Sequence, residues 1–184
     1  MTHERHSVFE PKGGSGKTTL SVHTAEAAEA AEATGERVCV IDADPQETAT
    51  AWARAREAGT PIVATAQAGE LDAALRAAEA EGITLAVVDA PPHAAPAAGQ
   101  IARRSQLVLI PVRPSAFDLA AVPAAVEIVT AAKVRGVFIL SACPFRAPEV
   151  GRRARRWKPM GCRSFLARSQ TGERSPAPSR PAAP

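Results

Sequence analysis

The feature that most restricts the fold is a series of short apolar runs separated by longer helix-forming stretches. "RVCVID" (37–42), "PIVATA" (61–66), "ITLAVVDA" (83–90), "QLVLIPV" (106–112) and "VFILSA" (137–142) read as strands whose interiors are continuously apolar. Such strands are covered on both faces, which is the condition of a parallel sheet. The intervening stretches favour helix: 17–34 is rich in Ala and Glu and stops at Gly35, 45–57 opens on Pro45, 70–82 is amphipathic and stops at Gly82, and 118–136 carries Pro123 either in its first turns or at a kink. This alternation predicts an α/β fold, a doubly wound and mainly parallel sheet with helices on both faces.

Ahead of the first helix stands "EPKGGSGKTTL" (10–20), which follows the very short apolar run "SVF" (7–9). A glycine loop between a strand and a helix is the setting of a phosphate-binding P-loop. Its backbone N–H groups turn inward as an anion nest, and the helix adds the positive end of its dipole. Gly13, Gly14, Ser15, Gly16, Lys17, Thr18 and Thr19 are the candidate nucleotide contacts, with Lys17 on the β- and γ-phosphates and the Thr18 hydroxyl on Mg²⁺. The pattern G-x-x-x-x-G-K-[ST] is not met in full, because Pro11 stands at the first glycine and a second lysine, Lys12, precedes the loop.

Carboxylates end two of the strands. "DADPQ" (42–46) offers Asp42 and Asp44, and "LAVVDAPP" (85–92) offers Asp89 in a Walker B arrangement for Mg²⁺. Ligands of open α/β sheets bind at these carboxyl ends. A carboxylate there can hold Mg²⁺ through water, orient an attacking water or, in the case of Asp44, cap the next helix.

Composition narrows the class. The 184 residues suffice for one domain with a core, and no apolar run reaches the roughly 20 residues of a membrane span. The polar start "MTHERHSVFE" lacks a signal-peptide core, which predicts a cytoplasmic protein. Cys39, Cys143 and Cys162 have no ligand spacing and read as buried free thiols, and His3 and His6 read as part of a polar terminus rather than a metal pair. Charge is uneven: 151–184 carries +8 and the rest −5, for a net charge of +3. The expected organisation is a P-loop domain over 1–150 and a disordered basic, Pro/Arg-rich tail over 151–184.

Together, "PKGGSGKTT", "VIDADPQ", "VVDAPP" and "LIPVRPSAFDL" resemble the ParA/MinD family of deviant Walker A ATPases over about residues 7–150, with the ParA partitioning branch indicated by "DPQ" followed by "TATAWARAR". The resemblance implies ATP and Mg²⁺ as cofactors and weak, Mg-dependent ATP hydrolysis. It implies that Lys12 reaches across an ATP-closed homodimer to the partner's phosphates, that Asp44 positions the hydrolytic water, and that Asp42 and Asp89 support Mg²⁺ with Thr18. The catalytic set is thus Lys12, Lys17 and Asp44. The implied activity is partitioning of a plasmid or chromosome: non-specific DNA binding by the ATP-bound dimer on the nucleoid, and hydrolysis stimulated by a ParB-type partner.

Four places depart from the family pattern. Glu10 puts an acid beside the phosphates, the first strand is short and polar, and Ser141 replaces an adenine-contacting Asn. The Arg/Pro-rich tail stands where the family continues with a helix, a strand and a closing helix, so the fold is expected to be truncated there. The competing readings are a membrane-cycling ATPase of the MinD type, disfavoured by Pro159 and Gly161 in the only candidate amphipathic stretch, a metabolic relative, and an inactive fragment.

Overall fold

A computed structural model describes residues 3–30, 35, 37–92, 95–143 and 163–165. Seven strands form one sheet: β1 (Glu4–Val8), β2 (Val38–Asp42), β3 (Ile62–Thr65), β4 (Leu85–Asp89), β5 (Leu107–Val112), β6 (Arg135–Leu140) and β7 (Arg163–Phe165). Their spatial order is β3-β2-β4-β1-β5-β6-β7, and every pairing is parallel. Helices α1 (Lys17–Ala30), α2 (Thr48–Ala55), α3 (Leu71–Ala80), α4 (Ala95–Arg103) and α5 (Ala116–Ala132) supply the crossovers. The doubly wound parallel fold expected from the apolar runs is the fold observed.

Alternate residues of each central strand enter different cores, as the pleat requires. Val8, Val38, Val40, Leu85, Val87 and Leu109 face Val22 and Ala25 of α1 and Ala49 of α2. On the other face Cys39, Ile41, Val88, Val108, Ile110 and Phe138 meet Leu71 and Leu75 of α3, Ile101 of α4, and Val122 and Val129 of α5. β2 and β4 are buried at all five positions, which is why their sequences show no alternation.

Several boundaries differ from the sequence reading. The first strand starts earlier than "SVF": Glu4, Arg5 and His6 pair with Leu85, Ala86 and Val87 although they are polar. They lie at the sheet's amino end, where His3 and Arg5 reach Glu79 of α3, so paired polar groups replace apolar cover. The second helix begins at Thr48, not Pro45, because Glu47 adopts a left-handed conformation (φ 48°) and residues 43–47 form a turn. Of the two placements expected for Pro123, the one inside the helix is found. That helix ends at Ala132 on left-handed Lys133 (φ 55°), so β6 starts two residues before the expected "VFILSA". α4 has no counterpart in the sequence reading. The tail, read as lacking strands, contributes Arg163–Phe165 as a parallel neighbour of β6. The expected boundary near residue 150 and the Arg-rich run 152–158 lie outside the described residues. Cys39 is buried and free as expected, and Cys143 is free but only half-buried.

No helix among the described residues is long and apolar enough to cross a membrane. Phe138 is fully buried on β6, whereas Ile62 on the edge strand β3 is 47 % exposed. Phe138→Ala is expected to lower unfolding stability by about 3–5 kcal/mol, and Ile62→Ala by less than about 1 kcal/mol. Urea unfolding midpoints of the two variants check this ordering.

Candidate functional site

The sheet order fixes where a ligand can sit. From β1 the chain crosses by α1 toward β2 on one side, whereas β4 connects by α4 to β5 on the other. The carboxyl end of β1 is therefore a topological switch point, the place where open α/β sheets leave a crevice. The loop 10–16 occupies that crevice. Phe9 N–H still donates to Leu109 O at 3.1 Å, after which the chain leaves the sheet.

Within the loop, Gly14 (φ 75°) and Gly16 (φ 94°) occupy backbone regions that side chains disfavour. α1 begins directly after, at Lys17, with Leu20 N–H donating to Gly16 O at 2.9 Å. The free amides of a helix start and of a glycine turn thus face one place, which is an anion site by geometry. Lys17 is buried, and its Nζ donates back to Lys12 O at 3.4 Å. The far end of the sheet closes on the loop as well: the Ser141 hydroxyl donates to Ser15 O at 3.1 Å.

The carboxylates lie beside it. Asp89 is the register partner of Val8 on one side and of Asp42 on the other, so both acids stand at the mouth of β1. Asp89 is fully buried; Oδ1 accepts from Ser21 Oγ at 3.0 Å, and Oδ2 has no hydrogen-bond partner among the described residues. Burial pushes its carboxyl up to about 6, against the opposing effect of the Thr18 and Ser21 hydroxyls. A buried carboxylate oxygen without a partner, close to a hydroxyl and a second acid, fits a hard divalent cation. Asp42 is committed locally: Oδ2 accepts from Thr50 N at 2.9 Å and from Thr50 Oγ1 at 3.0 Å. It therefore supports the start of α2, a duty the sequence reading considered for Asp44. Asp44 Oδ1 instead accepts from Gln46 N at 2.9 Å inside the turn. Among the described residues no group of three or more His, Cys, Asp or Glu could hold a metal. Thr18, Asp42 and Asp89 fit Mg²⁺, which takes few protein ligands and fills its shell with water and phosphate.

The two lysines have separate environments. Lys12 Nζ pairs with Asp118 Oδ1 at 3.0 Å and lies 5.7 Å from the centre of the Phe117 ring. Asp118 is itself tied down: its Oδ2 accepts from Ser115 Oγ at 2.6 Å, and its N–H donates to the same oxygen, which caps α5. The Ser115 hydroxyl, then the Lys12 ammonium, hold the Asp118 carboxyl below its usual range. Phe117 is 80 % exposed, so this corner presents an aromatic ring and a half-exposed cation. Neither Asp118 nor Phe117 was among the sequence candidates, although both stand in the quoted "PSAFDL". Of the sequence-chosen residues, Lys17, Thr18 and Asp42 lie close enough to act on Asp89, Lys12 turns to Asp118 instead, and Asp44 stands on the turn after β2.

Residues 7–139 match the family model described as the CobQ/CobB/MinD/ParA nucleotide-binding domain. The chain belongs to this family. No curated protein matches the sequence. Among solved structures, a McdA from Cyanothece in an ATP complex is 15 % identical and covers 89 % of this chain and 82 % of its own, with a TM-score of 0.62. A putative plasmid partition protein from Borrelia burgdorferi bound to AMPPNP is 11 % identical, covers 92 % and 89 %, and has a TM-score of 0.63. Cobyrinic acid a,c-diamide synthase from Mycobacterium smegmatis with ADP and magnesium is 17 % identical, covers 76 % and 75 %, and has a TM-score of 0.55. At these identities the likeness concerns the fold. As a ParA/MinD-family deviant Walker A protein, the chain has a glycine loop at the carboxyl end of β1, just ahead of α1.

Thr50 joins the acid at the end of β2 to the start of α2 through a buried hydroxyl. Thr50→Val is expected to destabilise the chain by about 1–2 kcal/mol, since it leaves Asp42 Oδ2 one donor short in a buried place, while Thr50→Ser retains most of the stability. Thermal unfolding of both variants in the absence of nucleotide measures the difference.

Proposed function

We propose that this chain is a ParA-type ATPase switch. ATP and Mg²⁺ close two copies into a homodimer, the dimer binds DNA without sequence preference, and a ParB-type partner stimulates hydrolysis and release, in the partitioning of a plasmid or chromosome. The observation that carries the reading is the glycine loop at the switch point, with Gly14 and Gly16 at positive φ, Lys17 at the start of α1 and Asp89 alongside. Relatives of the same fold are seen with ATP, AMPPNP, and ADP with magnesium, which supports the same ligand class here.

The residues have distinct tasks in this reading. The amides of 13–19 cradle the phosphates, and Lys17 neutralises the β- and γ-phosphates. Thr18, Asp42 and Asp89 would hold Mg²⁺, directly or through water, and the ion would supply positive charge to the phosphate oxygens. Asp44 orients the attacking water from a turn that Gln46 N–H stiffens. Lys12, partly exposed at the mouth, is the group that leaves its own subunit. When it meets the partner's phosphates it supplies the charge that an arginine finger supplies in other phosphoryl-transfer enzymes. Hydrolysis then depends on assembly, because one subunit alone lacks that charge. In this reading the site of action is the cytoplasm, on the nucleoid.

Lys17→Ala and Lys12→Ala separate binding from closure. With Mg²⁺ and ATPγS, Lys17→Ala is expected to lose nucleotide affinity by at least about tenfold, the order of one charge-assisted contact. Lys12→Ala is expected to bind ATPγS within a few-fold of the parent yet remain a monomer in sedimentation velocity. Dimers of Lys12→Ala formed as readily as those of the parent would contradict the switch.

A further inference from the structure

An acid lies inside the loop that binds phosphate. Glu10 is 2 % exposed although it precedes a turn at the surface of the crevice. Its Oε2 accepts the Lys12 N–H at 2.8 Å. The Ser15 hydroxyl is buried, lacks a partner at full hydrogen-bond distance, and still favours the charged carboxylate through its dipole. Two charged groups act on Glu10 from the neighbouring elements, Lys17 at the start of α1 and Asp118 of α5, while the Lys12 ammonium is taken by Asp118 and Lys12 reaches Glu10 only through its backbone N–H. The exposed Arg113 comes near the loop too, with its guanidinium 3.9 Å from the place a Cβ on Gly14 would take. In the nucleotide-free chain, then, a carboxylate already takes one loop amide and shares the Lys17 charge. It acts as an internal anion in a site shaped for a larger one.

A triphosphate entering this loop brings up to four negative charges to the same donors. Two anions sharing one set of cations in a water-poor place favour proton uptake by the weaker acid of the pair. The carboxyl of Glu10 is already raised by burial, an effect larger than the opposing pull of the Ser15 hydroxyl, the Lys12 amide and the Lys17 ammonium.

We propose that Glu10 is an affinity-setting residue of the phosphate site: it competes with the nucleotide for the loop's donors, and one proton passes from solvent to its carboxylate for each nucleotide bound. This rests on the nucleotide-binding reading above and adds to it a coupling to pH. Binding is tightest on the acid side, where Glu10 is neutral without cost. Above the free-state pKa of Glu10, affinity falls by up to about tenfold per pH unit, as linkage of one proton to one ligand requires. The neutral amide of Glu10→Gln fills the same space and can still accept the Lys12 N–H through its oxygen, so the substitution removes the charge and retains the packing.

The test is isothermal titration of the full chain with Mg²⁺ and ATPγS at pH 6, 7 and 8, each in two buffers of different ionisation enthalpy. Near pH 8 the magnesium-bound nucleotide is fully ionised, so protons taken up there come to the protein. The parent chain is expected to take up a proton at pH 8 and to weaken with rising pH more steeply than Glu10→Gln. Glu10→Gln is expected to take up none and to bind about tenfold or more tightly than the parent at pH 8. Parallel pH profiles for the two chains, or weaker binding by Glu10→Gln at pH 8, would overturn the proposal. Should Glu10→Gln not fold, the parent's own proton count at pH 8 decides it: binding with no uptake refutes the role of Glu10 and leaves the nucleotide site intact. Absence of nucleotide binding by the parent at every pH would overturn both.

Discussion

The register of the central strand governs everything else in this molecule. Val8 lies opposite Asp89 on one side and Leu109 on the other, so β1 stops level with the acid at the end of β4. Because all pairings are parallel, the carboxyl ends of β1, β2 and β4 open on one crevice. A shift of β1 by one residue would turn Val8 out of its core and set the glycine loop out of line with Asp89. The two apolar cores, one under α1 and α2 and the other under α3, α4 and α5, hold that register.

On this frame the site is assembled from weak local choices that agree with one another. Two glycines give the loop its positive φ angles, α1 starts where the loop ends, and the acids at the strand ends are kept dry by the cores behind them. The polar interactions are shared between structure and chemistry. Asp42 holds Thr50 at the start of α2, and Asp118, in the first turn of α5, bonds its capping residue Ser115 while pairing with Lys12.

Much of this was legible in the sequence, for physical reasons. Short apolar runs set between helix-forming stretches fit the strands of a parallel sheet, although one of them, β3, proves to be a largely exposed edge strand, and a glycine turn before a helix can be recognised by its backbone needs. Other parts were hidden. Ala95–Arg103 contains Pro96 and Gly99 with Ile101 as its only large apolar residue, so its helical face is made of alanines and carries little pattern. Glu4–His6 are polar yet paired, because ladder hydrogen bonds do not depend on side chains and neighbouring ions satisfy these ones. Arg163–Phe165 is too short for a period to register and is selected by the open edge of β6. The burial of Glu10 and the Lys12–Asp118 pair join residues distant in sequence or depend on how the loop turns, and neither follows from spacing.

The central claim is that Lys12 belongs to its own subunit only while the site lacks a triphosphate. A crystal structure of the full chain with Mg²⁺ and ATPγS measures it directly. The account predicts a two-fold dimer in which Lys12 Nζ has left Asp118 and lies within hydrogen-bond distance of a phosphate oxygen held by the partner subunit. A nucleotide seated in the loop with Lys12 still paired to Asp118, and no second copy against the mouth, would contradict it.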